Sequence, residues 1–448
     1  MSGGRTGAAA VDPAVLAHGV GFREDLPIPF DYALAGAAVA LVVSFAALGM
    51  LWRSPRLGRA DAGLPFPLPV SHVLTGPVVR GGLAALGMLM LGNLGLAAFA
   101  GRDDALNPTA GAVYVLFWVG LPITSMLLGP LWRVLNPARG LWWLITGAGH
   151  LHRVGGRYPR VLGYWPAAGM LLGFVWLELV LPDNTTLQVL RVCIAAYLVV
   201  DLLASVYWGR RWFIRGDGFE VYSSLMGRLS VLARRRLDDR LVVRNPLHGL
   251  AAAPTGPGLF AVLGVLLGST GYDSLQSSPW WTNVIVESPL PAEATETLGL
   301  LGMIVLVTGA FVLATTATSR GSAVSPWRAA GQYAHTLIPI VAGYIVAHYW
   351  SLLVFVGQET VIRFTDPLGT GADWLGLADR RADQTLLNLT FVAVLQVSAV
   401  VVGHVIGVIL AHDRALRLSP GRAVPAQIPM VTVMVGYTIG GLSLLFSS

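Results

Sequence analysis

Charge is scarce in this sequence, and lysine is absent altogether. Of the 448 residues only 12% are charged, all 30 basic residues are arginines, and 54% are hydrophobic, with a mean hydropathy of +0.65. Soluble chains carry about 25% charged residues, so this chain has too little polar surface to cover a water-soluble globule. The composition therefore predicts one integral membrane domain and excludes the disordered, collagen-like and disulfide-scaffold classes.

Cysteine and the common sequence motifs are equally scarce. The single cysteine, Cys193, excludes an intramolecular disulfide and any CxxC or CxxCH site. P-loop, GxSxG, HExxH and EF-hand patterns are absent, which excludes ATP-driven transport within this chain and the commonest hydrolase machinery. No long apolar run precedes residue 32, so a cleavable signal peptide is not expected.

Long apolar runs make up most of the chain. A helix needs about 20 apolar residues to span about 30 Å of hydrocarbon. By that measure we predict an all-α, polytopic helix bundle, with an extracytoplasmic segment, 1–31, followed by a transmembrane domain, 32–446, of about ten helices. Pro254 and Pro257 interrupt the start of the sixth helix, and 141–149 is short enough to lie in the membrane interface. The predicted helices are 32–51, 81–101, 108–130, 161–181, 187–208, 250–272, 298–318, 333–357, 385–411 and 426–446.

The placement of arginine predicts the orientation of these helices. Alternate loops hold 23 arginines, the opposite loops hold 6, and the acidic residues are distributed the other way. Because arginine-rich loops are cytoplasmic, both termini are predicted to be extracytoplasmic in a bacterial cell membrane. The arginine-rich loops are 52–80, 131–160, 209–249, 319–332 and 412–425.

The largest of these loops, 209–249, holds nine arginines. One interpretation is a site for anionic lipid headgroups or for an acidic partner, because cations near an anionic leaflet each gain about 1 kcal/mol. The other is a solvated cytoplasmic loop that merely obeys the positive-inside rule. No nucleic-acid or nucleotide-binding pattern occurs in it, so no nucleic-acid partner is expected.

Ionisable groups at membrane depth are costly and are therefore functional candidates. Glu178 lies near the outer end of the fourth predicted helix, Arg191 near the outer start of the fifth, and Asp201 in the inner half of the fifth. A short loop joins these two helices, so Glu178 and Arg191 are expected at similar depth, where an ion pair would offset their desolvation. A solute-binding or proton-relay role is the alternative.

Four histidines lie on the eighth and ninth predicted helices. At about 1.5 Å per residue, His335 and His412 are near the inner surface, His404 is about 10 Å deeper, and His348 is about 22 Å from the inner end. His348 shares its depth with Gln396, while Asp413 extends an inner group with His335 and His412. Stepped imidazoles suit proton transfer or the passage of a metal ion, whereas a histidine bonded to a backbone carbonyl is the structural alternative.

A metal ion is the one cofactor that these residues suggest. Two groups of candidate ligands are predicted for a divalent or copper-type ion. His335, His412 and Asp413 form the inner group, and His18 is the candidate on the outer side. His18 would meet outer-loop carboxylates at Glu359, Asp366 and Asp373. The alternative for His18 and these outer carboxylates is that they lie in ordinary solvated loops.

Several segments resemble a group of actinobacterial multi-pass membrane proteins commonly labelled fenitrothion hydrolase. They are AHGVGFREDLPIP (17–29), GPLWRVLNPARGL (129–141), GSTGYDSLQSSPWW (268–281), TLIPIVAGYIVAHYWSLLVFVGQ (336–358) and GHVIGVILAHDRAL (403–416). The resemblance extends from about residue 16 to the C-terminus and implies an organophosphate triester hydrolase. It assigns no catalytic residue.

Three functional hypotheses follow from the sequence. The first is a membrane protein that handles a small solute, a proton or a metal ion, alone or as the membrane subunit of a complex. The second is a membrane-bound, metal-dependent hydrolase, as the resemblance implies. The third is a structural or assembly partner that docks through loop 209–249.

Overall fold

The prediction of an all-α membrane protein is confirmed. A computed structural model describes residues 25–146, 156–235, 237–320, 322 and 324–446, and it is 71% helical. Its main helices are α1 (Phe30–Leu51), α2 (Leu68–Ala100), α3 (Thr109–Leu128), α4 (Pro137–Ile145), α5 (Trp165–Leu179), α6 (Leu187–Trp208), α7 (Arg210–Arg215), α8 (Gly218–Met226), α9 (Leu259–Gln276), α10 (Ala292–Thr318), α11 (Ile338–Arg363), α12 (Leu389–Leu418) and α13 (Ile428–Leu445).

Within the described residues, eight of these helices are long and apolar enough to cross a bilayer. They are α1, α2, α3, α6 and α10 to α13. Much of their surface is apolar and exposed, which a lipid bilayer would cover. Short helices join the long ones: Trp132–Leu135, Pro246–Ala251, Pro279–Glu287, Pro326–Tyr333 and Ala423–Ala426, with 3-10 turns at Ala334–Thr336 and Gln384–Leu386.

The fourth and sixth predicted helices exist but differ from expectation. The fourth, α5, has 15 residues, so at about 1.5 Å per residue it is shorter than the hydrocarbon layer. The sixth, α9, begins at Leu259 rather than at 250, because Gly258 has a φ of 80° and Pro257 precedes it. Most of α9 is buried, and it packs against α5, α10 and α11 at the centre of the bundle.

The segment 209–249 is not the solvated loop that the sequence allowed. It contains α7 and α8, and α8 is almost completely buried against α3, α5 and α11. The segment then forms β2 (Leu232–Arg234) and β3 (Leu241–Val243). These strands join β1 (Leu64–Pro65) in an antiparallel sheet of order β1-β3-β2, which links two arginine-rich loops at one end of the bundle.

Close packing of glycines fixes the register between α11 and α12. A Cβ on Gly343 would lie 2.3 Å from the carbonyl oxygen of Ala399, and one on Gly403 would lie 2.5 Å from that of Pro339. Neither position accepts a side chain, which is why the two backbones approach so closely. Extending this antiparallel register places Gln396 opposite Val346, two residues from His348 and so close to its predicted depth.

Candidate functional site

A hydrogen-bonded group of polar side chains lies inside the bundle, where α9 packs against α11. Tyr349 donates its hydroxyl to Asp273 Oδ2 at 2.6 Å, and His348 Nε2 lies 2.9 Å from the same oxygen. Ser274 Oγ is 3.4 Å from His348 Nδ1 and 3.1 Å from the Tyr344 hydroxyl. We call Asp273, Ser274, Tyr344, His348 and Tyr349 the Asp273 cluster; all five are at least nine-tenths buried.

Helix geometry assembles this cluster. Tyr344 and His348 are one turn apart on α11, so both rings project from one face, where they stack with centroids 6.3 Å apart. Adjacent residues of α9 supply the carboxylate and the hydroxyl. The sequence identified His348 but missed Asp273, because the predicted sixth helix ended at 272 and its next residue was counted with the outer loops.

Glu178 on α5 lies close enough to Asp273 and Tyr349 to act on both electrostatically. Its Oε2 atom is buried and has no hydrogen-bond partner among the described residues. Two carboxyl groups close together in an apolar interior cannot both be charged without a large cost. At least one of the two carboxyl groups is therefore expected to be protonated.

The predicted ion pair between Glu178 and Arg191 is wrong. The Arg191 guanidinium bonds to the carbonyl oxygen of Ala98 and lies over the ring of Phe99, 5.9 Å from its centroid. Antiparallel neighbours at the same depth can present their side chains to different sides, and here α6 turns Arg191 towards α2. Arg191 is therefore not part of the candidate site, whereas Glu178 is.

A second buried group lies where α4, α6 and α8 meet. The Arg139 guanidinium binds both oxygens of Glu220 at 2.7–3.1 Å, and Asn136 donates to Asp217 Oδ2 at 2.8 Å. Asp201 accepts a hydrogen bond of 2.6 Å from Trp212 Nε1. We call Asn136, Arg139, Asp201, Asp217 and Glu220 the Glu220 cluster; its three carboxyl groups are fully buried.

Asp201, which the sequence predicts in the inner half of its helix, is fully buried in this cluster, and two further carboxyl groups, Asp217 and Glu220, come from the segment that the sequence predicts to be a loop. Asp217 also caps α8 by accepting from the backbone of Phe219 and Glu220. Among the described residues, two arginines form ion pairs with the carboxylate of Glu220: Arg139 at 2.7 Å and Arg133 at 3.8 Å. Three carboxyl groups thus share fewer cations than full ionisation would require.

A group of aromatic residues packs beside the Glu220 cluster and reaches α5, one turn from Glu178. Phe219, next to Glu220, packs edge-on against Phe174 with ring centroids 5.2 Å apart, and Trp118 contacts both rings. Tyr222, fully buried on α8, lies against Trp118 at 5.1 Å and within electrostatic range of Glu178. Tyr222 therefore places a buried hydroxyl group of α8 between the Glu220 cluster and Glu178 of α5.

Two further predicted residues, Gln396 and His404, are buried on α12. Both polar atoms of the Gln396 amide lack a hydrogen-bond partner among the described residues, and so does His404 Nε2. His404 Nδ1 bonds to the carbonyl oxygen of Val400 at 2.9 Å. An unpaired buried polar group costs about 1–3 kcal/mol, so neither residue is explained by packing within α12 alone.

The predicted inner group of His335, His412 and Asp413 does not assemble as a metal site. His412 bonds through Nε2 to the carbonyl oxygen of Trp52 at 2.9 Å and through Nδ1 to Gln427 at 3.1 Å, so both ring nitrogens are occupied. Asp413 accepts from the backbone of the loop after α1 and from Arg417. No group of three or more potential ligands forms in the described part of the chain.

His18 lies outside the described residues. The outer carboxylates that it was predicted to meet already have partners: Glu359 pairs with Arg363 at 3.2 Å, and Asp366 accepts from the backbone of Thr370 and Gly371. These backbone hydrogen bonds outweigh desolvation and lower the pKa of Asp366. Asp373 likewise accepts from two backbone N–H groups.

Comparison with family models, with curated proteins and with solved structures finds no match to this chain.

Proposed function

We propose that this chain transfers protons through its helix bundle, alone or coupled to a small solute, with Asp273 and His348 as the exchanging pair. The observation that carries the proposal is the contact of 2.9 Å between His348 Nε2 and Asp273 Oδ2 in the buried interior. Imidazole can accept and donate a proton near neutral pH, and a carboxyl group at this distance is a direct partner for that transfer.

The Asp273 cluster offers a path beyond that pair. When His348 takes a proton at one ring nitrogen, the other nitrogen can release one towards Ser274 at 3.4 Å. Ser274 reaches Tyr344 at 3.1 Å, and Tyr344 donates to the carbonyl oxygen of Gly441 at 3.3 Å. This chain of exchangeable hydrogens crosses from α9 through α11 to α13.

The Glu220 cluster supplies a second proton-holding position nearer the arginine-rich end. Its three carboxyl groups are fully buried, and the ion pairs that they form among the described residues are those of Glu220 with Arg139 and Arg133. The aromatic residues Phe174, Phe219 and Trp118 stand between this cluster and Glu178. Tyr222, which packs against Trp118 and lies within electrostatic range of Glu178, supplies a hydroxyl group among these rings, and we propose that protons pass between the two clusters there.

Proteoliposomes that enclose a pH-sensitive dye test this function. With an imposed membrane potential, the wild-type protein is expected to acidify or alkalinise the lumen, and His348→Gln is expected to abolish the change. His412→Gln is the matched control, because His412 is bonded only to structural groups. Equal flux in wild type, His348→Gln and empty liposomes would reject the proposal and leave the hydrolase and assembly-partner hypotheses.

One observation favours a second candidate function, hydrolysis. Ser274 Oγ, His348 and Asp273 form a hydroxyl–imidazole–carboxylate chain of the type that activates a serine nucleophile. Ser274 would attack the phosphorus of a triester, His348 would accept its proton and pass it to the leaving oxygen, and water would then cleave the phosphoserine. Mass spectrometry after treatment with a fluorophosphonate tests this; an unmodified Ser274 rejects it.

The proposed setting is a bacterial cell membrane with both termini extracytoplasmic. The distribution of arginine supports it, with 23 on one set of loops and 6 on the other. Contacts bring three of the arginine-rich loops together at one end: the β-sheet joins 52–80 to 209–249, and His412 bonds to Trp52.

A further inference from the structure

Two adjoining cavities open at the surface where the chain enters α5 and where α7 follows α6. Their volumes are about 670 and 560 Å³, and they share Tyr158, Arg160 and Arg211. Arg157 completes the first cavity and Arg215 the second. We call Arg157, Arg160, Arg211 and Arg215 the arginine pocket.

Among the described residues, no carboxylate lines either cavity. None of the four guanidinium groups forms an ion pair in the part of the chain that the structure describes; Arg215 instead lies over the ring of Tyr164 at 5.9 Å. Four cations around one space repel each other, so an anion that binds there removes a repulsion as well as gaining attraction.

Two other arginines of the segment 209–249 form ion pairs with nearby carboxylates. Arg234 binds Asp239 at 2.7 Å, and Arg235 pairs with Asp238. The Arg235 guanidinium, by this hydrogen bond, lowers the pKa of Asp238 to about 2. Arg234 and Arg235 are thus paired with carboxylates, whereas Arg211 and Arg215 on α7 form no ion pair among the described residues.

We infer that the arginine pocket is a binding site for a phosphate-bearing anion. Guanidinium groups bind phosphate oxygens through two parallel hydrogen bonds, which suits a ligand with several such oxygens. The cavity volumes match the range of small-molecule sites. Ile214 lines the second cavity and Val161 follows Arg160; both are exposed apolar residues beside the charges, an arrangement that suits a lipid headgroup with its acyl chains alongside.

The test uses the full-length protein in neutral detergent and two probes, phosphatidylglycerol and inorganic pyrophosphate. Each arginine that contacts the anion is expected to contribute about 1 kcal/mol, which is roughly fivefold in affinity. The double variant Arg160→Gln/Arg211→Gln is therefore expected to weaken binding about 30-fold. Arg234→Gln/Arg235→Gln is the matched control with the same change in charge, and it is expected to bind as the wild type does. Native mass spectrometry measures lipid retention, and calorimetry measures pyrophosphate binding.

The two probes distinguish the source of the anion. Loss of phosphatidylglycerol alone identifies a lipid headgroup, whereas loss of pyrophosphate binding identifies a soluble phosphate; either supports the site. Unchanged binding in Arg160→Gln/Arg211→Gln, or an equal loss in the control, overturns it. If the double variant is not monodisperse, Arg160→Gln and Arg211→Gln are tested separately, and each is expected to weaken binding about fivefold. The pocket shares no residue with the Asp273 cluster, so proton flux should not change.

Discussion

Replacement of Asp273 separates its proton chemistry from its role in packing. Asp273→Asn keeps an oxygen where His348 and Tyr349 bond, at 2.9 and 2.6 Å, but it can no longer exchange a proton. Hydrogen bonds to a charged group exceed neutral ones by about 1 kcal/mol, so two such bonds predict a loss of roughly 2 kcal/mol in the free energy of unfolding. Proton flux is expected to disappear.

Asp273→Leu is the contrasting variant. Leucine removes both acceptor sites and leaves the donors of His348 and Tyr349 buried without a partner, at about 1–3 kcal/mol each. The expected loss of stability is therefore roughly 2–6 kcal/mol, which denaturation in mixed micelles measures. Wild-type flux in Asp273→Asn would refute the proton assignment, and wild-type stability in Asp273→Leu would refute the hydrogen bonds themselves.

Further predictions concern orientation and two histidines. A cysteine at Arg235 should be protected from an impermeant thiol reagent in intact cells, whereas one at Thr370 should be modified; the reverse pattern would reject the proposed topology. His412→Leu should destabilise the protein by about 1–3 kcal/mol, because it leaves the Trp52 carbonyl without its partner, while Gln427 keeps its hydrogen bond to the carbonyl oxygen of Ala423. His404→Leu should be neutral or stabilising in thermal denaturation, because it removes an unpaired buried nitrogen. Loss of proton flux in His404→Leu at unchanged stability would instead place His404 with His348 in the functional pair that the sequence predicts.

Several properties follow from local sequence. Apolar runs longer than about 20 residues determine where most helices lie, since each must satisfy its own backbone in lipid; α6 (Leu187–Trp208) begins and ends as predicted. Depth along a helix also follows from residue spacing, so the sequence alone predicts that His348 and Gln396 lie at one level. Asp201, an isolated carboxyl group in an apolar run, was recognisable for the same reason.

The partners of these residues depended on tertiary structure. Sequence spacing gives the depth of Glu178 and Arg191 but not the direction in which each helix faces, and α6 turns Arg191 towards α2. The amphipathic, arginine-flanked segment 209–226 resembles a solvated loop, yet α8 is buried because its polar residues meet Arg139 and Asn136 from another part of the chain. Asp273 becomes a site residue only when α9 packs against α11, since burial and partners are properties of the assembled bundle and not of either helix.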